Sequence, residues 1–201
     1  MRSHSFLAPL RREADGFVLR SYQAGDGVAL ADALNASYEH LRRFMIWARL
    51  HEDPIECELR VRQFHARYLL QEDFILGIFD LSETRVLGGT GFHLREGPLD
   101  GGRCEMGMWI RADEAGRGLG RRVLAALISW AWDEWPFHRL SWHCSVENVA
   151  SRKVAEACGL ALEGRLRKAI TIPGSDDHDL FLYATIRPPE FESRSPRSCC
   201  A

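Results

Sequence analysis

Glycines and arginines are concentrated in one short stretch, where a strand-like run gives way to an apolar helix. The segment EMGMWIRADEAGRGLGRRVLAALISW, residues 105–130, contains three glycines and three arginines close together: Gly116, Gly118, Gly120, Arg117, Arg121 and Arg122. A helix N-terminus exposes unpaired backbone N–H groups and carries a positive partial charge, and glycine lets that backbone approach a ligand closely. The stretch therefore predicts a phosphate or pyrophosphate site, with a glycine-rich turn that binds nothing as the second interpretation.

The spacing of these glycines differs from that of the two common nucleotide-binding loops. No Gly-Lys-Ser/Thr follows, as a Walker A loop requires, and Gly-x-Gly-x-Gly stands in place of the dinucleotide pattern Gly-x-Gly-x-x-Gly. A nucleotide-binding protein that uses this loop in another way remains an alternative.

A carboxylate lies on the strand that leads into the loop. In RCEMGMWI, residues 103–110, alternation places Glu105 on one face with Gly107 and Trp109, and the other face carries Cys104, Met106, Met108 and Ile110. Burial of a carboxylate is costly unless the group is paired or useful. Glu105 is therefore a candidate acid–base residue, with an ion pair to Arg103 or a solvent-exposed strand end as the structural alternatives.

Local patterns around these residues predict an α/β sandwich on a mixed sheet. Helices are expected near 26–44 with a break or bend at Asn35, at 53–71 with Asp53 as N-cap and an apolar stripe of Ile55, Leu59, Phe64 and Tyr68, from the glycine loop to about Trp135, and at 148–159. Strands are expected at 17–22, 73–79, 85–94, 103–110, 138–146, 160–170 and 178–187, of which 73–110 forms an antiparallel meander and the last two form a terminal pair.

Composition limits the classes of protein that need to be considered. The chain has 201 residues and a formal net charge of −2, which favours one domain and gives no support for nucleic-acid binding. The six cysteines lack CxxC spacing and the histidines lack metal-ligand spacing, so we expect reduced thiols and no metal site. No signal peptide or membrane-spanning run is expected, which favours a cytoplasmic protein. The expected organisation is a loose segment 1–15, a domain 16–190 and a disordered tail 191–201.

Three segments together resemble the GNAT acetyltransferase superfamily. AGRGLG, residues 115–120, is similar to its acetyl-CoA loop, Gln/Arg-x-x-Gly-x-Gly/Ala, with Ala115 at the position of Gln or Arg. SVENVASRKVAEACG, residues 145–159, resembles the Asn-x-x-Ser helix of the ribosomal-protein N-acetyltransferase branch, and LRRFMIWARL and DHDLFLYATIRPPEF resemble that branch's early and closing segments. The matches span about residues 15–191. They imply a GNAT fold, which is a mixed, mainly antiparallel sheet of about seven strands with helices on both faces.

The resemblance implies acetyl transfer from acetyl-CoA to a primary amine by direct attack in a ternary complex. It assigns cofactor contacts to the end of the strand, the loop and the second helix: Met108, Trp109, Ile110, Ala115, Gly116, Arg117, Gly118, Leu119, Gly120, Arg121, Asn148 and Ser151. Ala115 is expected to weaken those contacts. Glu105 becomes the general base and Ser151 the general acid that protonates the leaving thiolate, with Tyr183 as the competing acid.

The acceptor implied by the branch is the N-terminal α-amine of a protein or peptide. A small-molecule amine, or a regulatory module that binds coenzyme A without turnover, are the alternatives, and a monomer and a homodimer both remain open. Phe44 and Trp47 either wall the substrate cleft or pack in the core. His143 and Cys144 are adjacent on a strand and so point to opposite faces, which excludes a nucleophile–base pair between them.

Overall fold

The computed structural model describes residues 6–172, 174 and 176–192 as an eight-stranded sheet with helices on both faces. The strands lie in the order β1-β2-β3-β4-β5-β6-β8-β7, and every neighbouring pair is antiparallel except β5 and β6. Their bounds are Arg11–Ala14, Phe17–Ser21, Phe74–Phe79, Val86–His93, Arg103–Ile110, Arg139–Ser145, Ala161–Thr171 and Asp177–Ile186 for β1 to β8. The expected mixed, mainly antiparallel sheet, its central meander and its terminal strand pair are confirmed.

β1 is a strand beyond the seven that the sequence predicts, and it lies within the segment that is expected to be loose. Arg11–Ala14 pairs with β2, and Arg11 and Arg12 form ion pairs with Glu83 and Glu134. The prediction was wrong for this part because β1 has no buried apolar face that a hydrophobic pattern could reveal. Backbone pairing and exposed ion pairs hold it in place.

Helices cover the two faces of the sheet in separate groups. One face carries α1 to α3, and the other carries α4 and α5. The bounds of α1 to α6 are Gly27–Asn35, Tyr38–Leu41, Pro54–Leu69, Leu119–Glu134, Val149–Ala157 and Pro189–Glu192, and short 3₁₀ turns cover Leu99–Gly101 and Ala112–Glu114. The predicted break at Asn35 is therefore the boundary between α1 and α2. Phe191 in α6 packs against the core on the α4 side, so the expected tail begins within an ordered turn, while residues 193–201 lie outside the described residues.

Two apolar clusters, one on each side of the sheet, fix the helices to it. The larger lies under α4 and α5 and contains Trp130 and Trp135, whose ring centroids are 5.6 Å apart. The smaller lies under α1 to α3 and contains Tyr22 and Val61. The side chains of β5 alternate between the two clusters. Cys104 and Met106 belong to the larger cluster, and Trp109 packs on the smaller one.

Helix α3 begins as predicted but buries a different face. The carboxylate of Asp53 accepts hydrogen bonds from the backbone N–H groups of Ile55 and Glu56, which is the expected N-cap. The predicted apolar stripe was wrong at its start, since Ile55 and Leu59 are exposed and Cys57, Val61 and Tyr68 are buried. The buried face is set by packing on α1 and β2, which local periodicity does not contain.

The sheet divides between its two parallel strands. β5 and β6 pair only over Arg103–Met106 and Arg139–Trp142. Beyond this point β5 continues to Ile110, and β6 continues to Ser145, without pairing to each other. We call the region between residues 107–110 of β5 and 143–145 of β6 the split.

Candidate active site

The glycine loop forms an open, positively polarised mouth on α4. Gly116 and Gly118 have φ values of +76° and +80°, a conformation that favours glycine, and a Cβ on either residue would meet no atom within 4 Å. Gly118 is the N-cap of α4 and offers no side chain to satisfy the first N–H groups of the helix. Unpaired N–H groups and open space at a helix N-terminus are the features of an anion site.

The arginines around the loop divide into two groups. Arg117 has 72% of its side chain exposed and lies 3.9 Å from Glu114, and the side chain of Arg121 is exposed. Arg122 instead donates a 2.7 Å hydrogen bond to the carbonyl of Asp15 and lies over the ring of Phe17. The first two therefore remain available to an anion at the loop, whereas Arg122 fixes the turn between β1 and β2.

The third glycine of the loop fixes α4 to the strand beside the split. Gly120 lies in the first turn of α4, where a Cβ would contact Met108 at 3.5 Å, Val154 at 3.7 Å and Ile110 at 3.8 Å. The mouth of α4 is thereby held next to the end of β5. Residues 108–110 pair with β4 on one side and face the split on the other.

The start of α5 borders the same region. The side chain of Asn148 caps α5 by accepting a 3.0 Å hydrogen bond from the backbone N–H of Ser151, as the sequence predicts. The Ser151 hydroxyl oxygen accepts a 3.0 Å hydrogen bond from the indole N–H of Trp142. Burial raises the pKa of the neighbouring Cys144 thiol, and a hydrogen bond with Ser151 offsets part of that rise. The Ser151 hydroxyl therefore lies beside the Cys144 sulfur, on the α5 side of the split.

Tyr183, the competing acid, already has a hydrogen-bond partner. Its side chain is buried in the larger cluster, and its hydroxyl donates a 2.9 Å hydrogen bond to Glu156. Burial and this carboxylate raise the pKa of the Tyr183 phenol. Because its pKa is raised, the Tyr183 phenol is a poorer proton donor than an ordinary tyrosine.

Glu105 lies on the opposite face of β5 from Met106 and Met108, and its carboxylate has two cationic or polar partners. Arg95 donates to Oε1 at 2.6 Å, and Nδ1 of His143 lies 3.2 Å from Oε2. The alternative pairing with Arg103 was wrong, because that ion pair is made by Arg95. Burial of Glu105 favours the neutral acid, but the hydrogen bond with His143 and the charge of Arg95 outweigh it and hold the pKa of Glu105 below its ordinary value.

A second histidine and two tryptophans extend this face of the sheet. His93 is the cross-strand partner of Glu105, and its Nδ1 lies 2.9 Å from Asp73. Trp109 contacts Trp47 edge-on, with the ring centroids 6.2 Å apart, and Trp47 is partly exposed. Trp47 is therefore too exposed to be a core residue, and it packs on the outer face of Trp109.

The structure brings the predicted site residues to one region around the split and adds partners that the sequence analysis missed. The loop and residues 108–110 lie at one end of it, Ser151 and Asn148 border it on the α5 side, and Glu105 lies on the opposite face of the sheet. The contact of His143 with Glu105 was missed by the sequence analysis. A signal existed in the alternation of β6, where Ser141, His143 and Ser145 share the polar face.

Two further properties concern the described residues as a whole. Among them, no group of three or more histidine, cysteine, aspartate or glutamate side chains is placed to hold a metal ion. Within the same part of the chain, no helix has the length and apolar character needed to cross a membrane.

Comparison with known proteins assigns a family to this arrangement. A family model described as an acetyltransferase (GNAT) domain matches residues 17–161, which is more than half of the chain. The chain is 31% identical over 85 residues to YdaF of Bacillus subtilis (strain 168), a putative ribosomal N-acetyltransferase, and the match covers 42% of this chain and 46% of YdaF. The chain thus spans less than half the length of this relative.

Two solved structures share the fold at low identity. MccE, the microcin C7 self-immunity acetyltransferase, was solved in complex with acetyl-CoA and AMP; it superposes with a TM-score of 0.77 at 22% identity, over 86% of this chain and 93% of its own. RimL, a ribosomal L7/L12 alpha-N-protein acetyltransferase solved in complex with coenzyme A, superposes with a TM-score of 0.77 at 22% identity. The match covers 86% of this chain and 95% of RimL.

Proposed function

The chain belongs to the GNAT acetyltransferase family and is an acetyl-CoA-dependent enzyme, and from this premise we propose that it acetylates the N-terminal α-amine of a protein or peptide. When bound, acetyl-CoA supplies the acetyl group as an activated thioester. The residues of this chain would bind the donor, expose the acceptor amine to it, remove a proton and protonate the leaving thiolate.

The donor fits the split and the glycine loop. We assign the pyrophosphate to the N–H groups of Gly116, Gly118 and Gly120, with Ala115 and Leu119 contributing backbone only, and to the charges of Arg117 and Arg121. The open space over Gly116 and Gly118 supports this assignment. Residues Met108, Trp109 and Ile110 would pair through their backbone with the pantetheine arm, as an added strand does, and Asn148 and Ser151 would contact it from α5.

The observation that carries the choice of acceptor is that three carboxylates near the approach to the split already have hydrogen-bond partners. Glu105 is paired with Arg95, Asp73 with His93, and Glu96 with Ser141. A polyamine or another multiply charged amine requires unpaired acidic groups, which these three residues do not supply. An α-amine carries a single charge and is already about 25% neutral near pH 7.4, whereas a lysine amine is only ~0.1% neutral.

The names of similar proteins support the same acceptor, although they do not all agree. YdaF is described as ribosomal, and RimL as acting on an α-amine of a ribosomal protein. MccE is described as a microcin C7 self-immunity acetyltransferase, which keeps a small-molecule amine as the second candidate.

A comparison of acceptors tests the proposal. We expect a peptide with a free N-terminus to be acetylated faster than the same peptide with a blocked N-terminus and an internal lysine, and faster than spermidine. Initial rates of coenzyme A release at saturating acetyl-CoA would measure this, with each acceptor also incubated without enzyme. A preference for spermidine or for the internal lysine would overturn the choice of acceptor.

A further inference from the structure

Glu105 has features of a group that orients another residue. Each of its two oxygens has a partner, Arg95 on Oε1 and His143 on Oε2, and only 14% of its side chain is exposed. Its Cα is paired with that of Ser141, which places it inside the closed, parallel part of the β5–β6 pair. Glu105 therefore lies behind the split, in the part of the sheet where the strands still pair.

His143 lies on β6, one residue beyond the part that pairs with β5. It follows Trp142, the last residue of β6 that pairs with β5, so it is the first residue of β6 in the split. It shares the polar face of β6 with Ser141 and is more exposed than Glu105, at 23% of its side chain. Since Nδ1 faces the carboxylate of Glu105, Nε2 is the ring nitrogen left to meet a substrate.

We propose that Nε2 of His143 accepts the proton of the acceptor amine, and that Glu105 is a positioning residue that holds the imidazole in the Nδ1–H tautomer. This inference rests on the proposed acetyl transfer and identifies the atom that serves it. It differs from the sequence prediction, in which Glu105 itself is the base. The order is carboxylate, imidazole, substrate, as in other catalytic pairs in which an acid orients a histidine.

Base strength favours the imidazole. Imidazole groups ordinarily titrate near pH 6.5 and carboxylates near 4.3, so an imidazole is better matched to an α-amine near 7.8. The lowered pKa of Glu105 makes that carboxylate a weaker base than usual. Three charged groups near His143 on this face already have partners: Arg95 lies on Glu105, Asp73 on His93, and Glu96 lies near Arg139. Facing His143 from the other side, β8 presents the apolar Leu182.

The proton balance of the step is complete with these residues. The acceptor ammonium loses one proton to Nε2 of His143 and becomes a neutral amine. Its nitrogen forms the C–N bond to the acetyl carbon, the C–S bond breaks, and the thiolate leaves with the electron pair. Ser151 protonates the thiolate, and the second proton from the new amide nitrogen replaces the one that Ser151 gave up.

Two variants and an added base separate the roles. We expect His143→Ala to lower kcat/KM by about 10²-fold or more, the range for loss of a general base, and imidazole in the buffer to restore part of it. Glu105→Ala should not be rescued by imidazole. His93→Ala, which removes the neighbouring histidine on the same face, serves as the matched control because imidazole should leave its rate unchanged. Circular dichroism and acetyl-CoA affinity by calorimetry would show that each variant is folded, and His143→Gln replaces His143→Ala if the latter is not.

A second readout does not depend on turnover. The ¹⁵N shifts of the His143 ring at alkaline pH should report the Nδ1–H tautomer in the wild type and its loss in Glu105→Gln. An Nε2–H tautomer in the wild type or full activity of His143→Ala would each overturn the inference. A wild type that acetylates no amine would overturn the proposed function and this inference with it, whereas an active wild type with a fully active His143→Ala overturns the inference alone.

Discussion

Gly118 offers the sharpest test of the anion site, because its geometry permits two substitutions that differ only in charge. Gly118 has φ +80°, and a Cβ there meets no atom within 4 Å, so a side chain fits without a clash. Asparagine and aspartate are the residues that tolerate this backbone conformation best after glycine. Gly118→Asn and Gly118→Asp therefore impose the same shape and the same modest strain, and only the second adds a negative charge.

The expected magnitudes differ between folding and binding. Strain at φ +80° should cost each variant about 1 kcal/mol of stability, or roughly 2–4 °C in Tm for a chain of this size. A single phosphate charge about 6 Å from the aspartate would be repelled by about 3 kcal/mol at an effective dielectric constant of ~20. That repulsion corresponds to about 100-fold weaker acetyl-CoA binding for the aspartate variant than for the asparagine variant.

Calorimetry with acetyl-CoA and thermal unfolding of the two variants would measure both quantities. The two Tm values should agree within about 1 °C, while the two Kd values should differ by about 100-fold. Wild-type affinity in Gly118→Asp would show that the loop is only a turn. Equal losses in both variants would show that backbone strain, and not charge, controls binding.

Two further predictions concern the acid and the carboxylate. Ser151→Ala should lower kcat by about tenfold or more. Tyr183→Phe should leave kcat unchanged and cost about 1 kcal/mol of stability, because the Tyr183 hydroxyl is hydrogen-bonded to Glu156. Steady-state rates and urea unfolding of both variants would measure these effects, and a loss of kcat in Tyr183→Phe alone would make Tyr183 the acid. Because the folded pKa of Glu105 lies below its unfolded value, its stabilising contribution is present above about pH 5 and is lost as the pH falls through the folded pKa. The stability difference between wild type and Glu105→Gln should therefore shrink as the pH falls below about 5 in urea titrations, and a constant difference would contradict the ion pair.

Sequence signals predicted the parts of the fold that depend on neighbouring residues. Asp53 and Asn148 are N-caps, and Gly159 adopts φ +79° after α5, each because a single residue type satisfies a local backbone need. The meander of β3 to β5 followed from alternation and short connections. These features require no knowledge of distant contacts.

The parts that could not be predicted depend on pairing between distant segments. β1 lacks an apolar face, so nothing in its sequence distinguishes it from a loose terminus. The contact of Glu105 with His143 depends on the parallel register of β5 and β6, and that register brings together residues 38 positions apart in the sequence. Likewise, Arg122 belongs to the arginine cluster by sequence but to the β1–β2 turn by contact.

Because the pairing between β5 and β6 is short, acetyl-CoA bound in the split as proposed would be a structural element as well as a reactant. Within the sheet, four paired residues of each strand join a block of five strands to a block of three. The N–H and C=O groups along the split have the exposure of an edge strand, although they lie in the middle of the sheet. A ligand seated there bridges both blocks, and at 100 times its Kd it would add about 2.7 kcal/mol to the stability of the whole. The cohesion of the folded chain is thereby linked to the concentration of acetyl-CoA around it.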